Sequence, residues 1–368
     1  ATAAREQARN LLADFLKRNP TAQVARMQYA QLLAADEQLD AAIEQLHRVL
    51  EHDPNHLNVL YDLSLLSIRK APHTASRRYL ERYLRVLATQ PETPNHQALA
   101  HRAYLLLARL ARDEGHHKEA LQWVLQIKAT DANEPQRRLT FEAALEHARI
   151  LGDLGRIDEG LALLKALRPD NNSDKAHIAL AHAALLTRAG EHPQAYAVLS
   201  DALTHTPDDP DLLYDAAMAA ERIDALEAVE KHLKHLITLK PDHAHAYNAL
   251  GYTWADRNMR LQEADQLLAR ALALAPDDPA IIDSAGWLQY RLGHLDKARV
   301  LLQQAFDSRP DADIGAHLGE VLWQLGQREQ ALSVWRSAQT LGPDSPTLMN
   351  TLKRFGVELT PKAAERGH

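Results

Sequence analysis

Three successive segments between Ala244 and Ser345 carry the same small residues in the same order, and that order leaves few folds open. Gly251, Gly286 and Gly319 come first. Thirteen, twelve and twelve residues later stand Ala264, Ala298 and Ala331; seven further on come Ala271, Ala305 and Ala338; five after those come Pro276, Pro310 and Pro343. Successive prolines are 34 and 33 residues apart. That span holds two helices of ordinary length, and the proline ends the second because its ring cannot continue a helix. Gly293 and Gly326 fall between the two helices, where a left-handed residue ends one helix and the chain reverses. Gly286 lets the second helix of its own repeat approach through Ala298, whereas Ala305 leaves room for the first helix of the next. Such a repeat cannot bury its apolar face alone, so repeats must stack.

A period of this length with small, small, small and proline at fixed offsets is the signature of a tetratricopeptide array. The expected fold is all-α, a solenoid in which antiparallel helix pairs wind into a right-handed superhelix. Composition agrees, since aromatic residues make up only 5% of the chain, with four Phe, while close helix packing calls for small residues. The absence of cysteine excludes disulfides, thiolate metal sites and a cysteine nucleophile. A net charge of −7 gives no general case for nucleic acid. Residues 1–138 are slightly basic and the remainder acidic, a pattern that fits different partners at the two ends or, more simply, the charge that exposed solenoid faces need for solubility. No apolar run reaches the roughly 18 residues needed to span a bilayer. Residues 1–10 lack the plan of a signal peptide.

Ala8, Leu12 and Pro20 repeat the spacing of Ala298, Leu302 and Pro310. Residues 1–20 therefore read as the second helix of a truncated repeat, with any export signal or lipid anchor upstream. Residues 23–172 read as more degenerate repeats. The turn Ala35–Gln38 has no glycine, and Pro72 falls inside a lengthened repeat. Arg77, Arg78, Arg82 and Arg85 share much of one helix face, a basic patch whose simplest reading is a solvated surface. The stretch Thr89–Asn95, with Pro91 and Pro94, reads as a loop, as do Asn171, Asn172 and Ser173. Residues 176–345 are regular, although Val229 and Leu236 occupy small positions and imply looser packing there. Residues 346–357 read as a capping helix and 358–368 as a disordered tail.

No phosphate-binding loop, zinc-protease helix or nucleophile elbow is present, and neither enzymatic activity nor a cofactor is expected. His232 and His235 have helical spacing but no carboxylate to complete a metal site, so no metal is expected either. Asp208 with Asp209 and Asp277 with Asp278 stand between helices, where aspartate caps the next helix. What remains is surface. The first helix of each pair lines the concave groove, through the second, fifth, ninth, twelfth and thirteenth positions of the repeat. The expected protein-binding residues are Tyr214, Arg222, Asn248, Tyr252, Asp256, Asp283, Trp287, Tyr290, Arg291, Glu320 and Trp323. Aromatic residues and arginine dominate interface energetics. The competing reading is that Trp287 or Trp323 only fills space between helices.

The run Tyr247–Phe306, containing NALGYT and DSAGW, and the later Ala316–Trp335, containing HLGEVLW, resemble the tetratricopeptide outer-membrane lipoproteins of Gram-negative bacteria. That group includes the adaptor of a periplasmic carboxyl-terminal processing protease. The resemblance implies a periplasmic scaffold, tethered to the outer membrane through an upstream anchor, that holds such a protease and presents substrates such as peptidoglycan hydrolases. The alternatives are a chaperone-like assembly factor for outer-membrane components and the repeat domain of a larger enzyme.

Overall fold

The computed structural model describes residues 2–69, 73–91, 93, 95–128 and 134–359, and among them every regular element is a helix. The chain divides into two units, residues 1–170 and 171–368. The first holds α1 (Thr2–Arg18), α2 (Gln23–Ala35), α3 (Leu39–His52), α4 (Leu57–Ile68), α5 (Thr74–Ala88), α6 (His96–Asp113), α7 (His117–Val124), α8 (Glu134–Asp153) and α9 (Ile157–Ala166). The second holds α10 (Asn172–Arg188), α11 (His192–His205), α12 (Pro210–Arg222), α13 (Leu226–Leu239), α14 (Ala244–Asp256) and α15 (Leu261–Leu274). It continues with α16 (Pro279–Arg291), α17 (Leu295–Ser308), α18 (Ala312–Gln324), α19 (Arg328–Leu341) and α20 (Pro346–Phe355). From α2 to α19 the helices pair in sequence, each even-numbered helix packing on the next odd one, as the repeat requires.

The turns follow from backbone chemistry. Gly293 (φ 82°) and Gly326 (φ 77°) take the expected left-handed conformation. Where glycine is missing from the turn after α2, Glu37 adopts it instead (φ 61°), at a cost of about 1 kcal/mol for an L-residue. The turn after α14 has two such residues, Asn258 and Arg260, with φ of 53° and 46°. One additional residue is spent there, which accounts for the longer Gly251–Ala264 spacing.

The small residues mark contact between the helices of a pair, but the occupant of the space differs from expectation. A Cβ on Gly286 would lie 2.7 Å from Leu302 Cγ, and one on Gly251 would lie 2.7 Å from Leu268 Cγ. The glycine makes room for a leucine one turn beyond the alanine, rather than for the alanine itself. At Gly319 the intruder is Trp335, whose Nε1 would stand 2.2 Å from an added Cβ. That indole is fully buried and donates to the Ala316 carbonyl at 3.2 Å.

Several sequence expectations shift. Asn171–Ser173 is not a loop: α10 starts at Asn172, and the Asn171 side chain accepts from Asp174 N at 2.9 Å as its cap. Val229 and Leu236 are both fully buried on α13, and α12, against which it packs, buries Ala216, Ala217 and Ala220. The arginine patch on α5 is partly consumed: Arg77 donates to Glu114 at 2.8 Å and Glu119 at 2.6 Å, and Arg82 donates to the Pro54 carbonyl. The final helix α20 is capped by Ser345, ended by Gly356 (φ 62°), and packs on α18 and α19. Pro72, Pro94 and the expected tail from Thr360 onward lie outside the described residues.

Gly319→Ala should lower stability by about 2 kcal/mol, because the hydrogen-bonded indole it would strike cannot move away. Gly326→Ala meets nothing within 4 Å and should cost only about 1 kcal/mol through backbone strain. Urea-denaturation midpoints of the two variants test this ranking.

Candidate functional site

The residue following each small position on the first helices forms a series: Met218, Tyr252, Trp287 and Glu320, continued by Arg354 on α20. Because α14 packs on α16, α16 on α18 and α18 on α20, side chains one period apart are brought into contact. Trp287 stacks on His317 with ring centroids 4.2 Å apart and planes inclined by 20°. His317 Nδ1 lies 3.0 and 3.1 Å from the two carboxylate oxygens of Asp283. Trp287 Nε1 donates to Asp256 at 3.2 Å, and Arg291 donates to the Asp256 carbonyl at 3.1 Å. Tyr290 donates its hydroxyl to Glu320 at 2.9 Å, and Arg354 pairs with the other oxygen of Glu320. On the preceding step, Arg257 pairs with Asp224 at 2.9 Å.

The expected groove residues separate into a buried layer and an exposed one. Asp283, Trp287 and Glu320 are buried at 7%, 3% and 2% exposure, so they hold the first helices together instead of facing a groove. For Trp287 the space-filling reading fits, since both faces of the problem, ring stacking and the indole N–H, are satisfied internally. Tyr214, Asn248, Tyr252, Tyr290 and Arg291 are half-buried, while Arg222 and Asp256 are exposed. Tyr214 stacks on His243, the residue that caps α14, at 5.6 Å. Trp323 takes its ring partners elsewhere, from Trp335 at 5.4 Å, Phe355 at 5.9 Å and the Arg328 guanidinium at 3.8 Å. It serves the junction with the capping helix. Asn248, one turn before Tyr252, has a buried Oδ1 without a hydrogen-bond partner among the described residues.

His317 and Arg354 were not among the residues expected here. His317 occupies the sixth position of its repeat, outside the outward set, and Arg354 belongs to the capping helix. The signal that could have found them is the period itself: Asp283 to His317 and Glu320 to Arg354 are both 34 residues apart, acid and base one repeat from each other.

Burial shapes the electrostatics. Desolvation alone would lower the His317 pKa, but the charge and hydrogen bond of Asp283, aided by Asp256 and Glu320, outweigh it and hold it above the ordinary value. The Tyr252 phenol is raised well above its usual range by burial, then by the carboxylates of Asp256, Asp283, Glu221 and Asp313. Tyr290 is pushed up to about 12 by burial and Glu320. Both phenols therefore stay protonated, and Tyr290 donates to Glu320. Burial also raises Glu320, against the pull of Arg354.

Outside this cluster, Asp209 and Asp278 cap α12 and α16, each accepting from two backbone N–H groups. His232 is buried beside Tyr196, whereas His235 pairs with Asp208 at 2.9 Å, so the two imidazoles do not converge.

Residues 284–346 match a family described as tetratricopeptide repeat. A TPR repeat-containing protein of Pseudomonas aeruginosa is 37% identical over 218 residues, covering 59% of this chain and 36% of the relative. Human tetratricopeptide repeat protein 7A is 37% identical over 89 residues, 24% of this chain and 10% of the relative. The chain thus spans about a third or less of the curated relatives it matches. Among solved structures, a tetratricopeptide repeat protein from Parabacteroides merdae is similar with a TM-score of 0.53 at 16% identity, covering 69% of this chain and 98% of the other. A human IFIT1 dimer with PPP-AAAA is similar with a TM-score of 0.55 at 15% identity, covering 95% and 84% respectively. These structural likenesses concern the fold.

A histidine whose folded pKa exceeds its unfolded value gives stability that is complete below about pH 6.5 and is lost as pH rises through the folded value. Glu320, also raised, acts in the same sense at lower pH. Four other histidines, His101, His147, His182 and His232, are lowered by burial and act in the opposite sense, so the His317 contribution is read as a difference between variants. Asp283→Asn, which removes the carboxylate that holds the proton, should lose more melting temperature relative to the wild type at mildly acidic pH than above neutral, in a pH series of thermal melts.

Proposed function

We propose that this chain, which folds as a tetratricopeptide-repeat solenoid, is a non-enzymatic adaptor whose first-helix face over residues 210–345 binds a protein partner. Tetratricopeptide repeats imply a protein-interaction scaffold. The observation that carries the reading is the layering of this face. Asn248, Tyr252, Tyr290 and Arg291 stand half-exposed above a layer locked by the Trp287–His317 stack and the Asp283 and Glu320 pairs. Side chains held in place before binding lose less entropy on contact, so their burial yields more affinity.

The partner class follows from the resemblance carried by Tyr247–Phe306 and Ala316–Trp335. In this reading the protein is a periplasmic adaptor tethered to the outer membrane, its partner is a carboxyl-terminal processing protease, and it presents peptidoglycan hydrolases to that protease. The mixed surface supports a polypeptide ligand: half-exposed tyrosine rings, and both signs of charge at Arg222 and Asp256.

Affinity capture from periplasmic extract tests it. The intact protein should recover a protease together with a cell-wall hydrolase. Tyr252→Ala should weaken capture about tenfold, the cost of one interface anchor. Arg222→Glu, at an exposed site that supports no packing, should weaken it without changing the melting temperature. Recovery of neither enzyme class by folded protein would sink the adaptor reading, and weak binding to many unfolded chains would favour the chaperone-like alternative.

A further inference from the structure

The first helices of the N-terminal unit carry a second surface, unlike the one above in charge. α4, α6 and α8 border a cavity of about 410 Å³. Leu65, Leu105, Leu106 and Leu139 give it an apolar lining, and Leu65 remains 41% exposed. Three guanidiniums reach it, from Arg102, Arg109 and Arg138, against the single carboxylate of Glu142. Arg109 and Arg138 share that carboxylate at 3.3 and 3.4 Å. The nearby Glu146, buried at 1% exposure, is held by Arg112 at 2.9 Å and Arg149 at 3.6 Å and also lies 4.0 Å from Arg109 Nε, so Arg109 has two acids beside it. Arg102 is exposed and has no ion-pair partner among the described residues.

Tyr61 joins this group. It lines the same cavity as Arg102 and Arg109, and burial raises its phenol pKa while those two guanidiniums pull against the rise. A smaller recess of about 220 Å³ shares Arg102, Pro135 and Leu139 with the first, so the two make one groove between α6 and α8.

We propose that this groove binds an acidic polypeptide segment, with a carboxylate on Arg102 and an apolar side chain between the leucines. Arginine presents a planar fork that takes a carboxylate through two parallel hydrogen bonds, and Arg102 has that capacity unused. The leucine lining gives an apolar side chain of the same segment a place to leave water. A nucleic acid fits less well. Single strands are held by stacking bases on open aromatic faces, and Tyr61, the aromatic residue of the cavity, is packed against Tyr83 at 5.6 Å. The site lies in residues 1–170 and does not depend on the function proposed for residues 210–345.

Fluorescence anisotropy tests it on the whole chain, with a labelled peptide in which glutamates flank two leucines, and with its glutamine counterpart. The acidic peptide should bind saturably, more weakly at high salt, and about tenfold less well to Arg102→Glu, the loss expected for one charge-assisted contact. Leu65→Asp should weaken it as well. Arg222→Glu, on the other surface, should leave it unchanged. Arg102→Glu should melt with the wild type, since Arg102 holds no other residue in place. The proposal is overturned if the acidic peptide does not bind, if the glutamine peptide or Arg102→Glu binds equally well, or if a single-stranded RNA oligonucleotide displaces the peptide at lower concentration than unlabelled peptide does.

Discussion

The distance at which the two helices of a repeat can approach is the constraint from which the rest of this structure follows. At Gly251, Gly286 and Gly319 the missing side chain is replaced by Leu268, Leu302 and Trp335 reaching across from the second helix. Glycine inside a helix costs about 0.5–1 kcal/mol. Burial of a leucine contributes about 1.5–3 kcal/mol, so the exchange is favourable. Once every pair has this close contact, successive pairs can stack at a constant step. Residues 33 or 34 apart in sequence are then neighbours in space, as with Arg257 and Asp224, His317 and Asp283, and Arg354 and Glu320.

Those neighbours are polar, and in the C-terminal unit some are deeply buried. A buried ion pair such as His317–Asp283 adds little net stability, because desolvation of both groups offsets their attraction. Breaking one is a different matter, costing about 3–5 kcal/mol when a single charge is left behind. Apolar contacts such as Trp287 on His317 and Trp323 with Trp335 supply attraction that tolerates small shifts. The ionic contacts do not tolerate a slip of one residue between α16 and α18. Energy and register in this stack therefore come from different residues.

The same division explains how much could be read from sequence. Gly, Ala and Pro at fixed offsets disclose the pairing of helices, since each answers a local steric demand that recurs at every repeat. The aspartate caps were legible for the same reason. Which face a side chain takes was legible by position, and Tyr252, Asp283, Trp287, Tyr290 and Glu320 do meet. Their depth was not. Trp287 is buried because His317 from the next repeat lies flat upon it, and Arg77 is neutralised by Glu114 and Glu119, in both cases by residues of the following repeat. A reading confined to one helix face sees neither. Asn171 was misread because the polar side chain that opens a helix is the same type that fills a loop.

The two surfaces identified here arise from one backbone rule with different side chains. In the C-terminal unit the first helices spend many of their charged residues on one another, so the half-exposed tyrosines stand on an interlocked layer. In the cavity of the N-terminal unit three arginines face one carboxylate, and leucine rather than tryptophan fills the space between. A repeat array is stabilised by nearest-neighbour contacts, so a change of side chains in one set of helices need not disturb a distant set. That separability lets a single chain carry a pre-organised surface suited to a mixed polar ligand and an arginine-lined groove suited to carboxylates. The sequence itself records the difference as a shift from a slightly basic beginning to an acidic remainder.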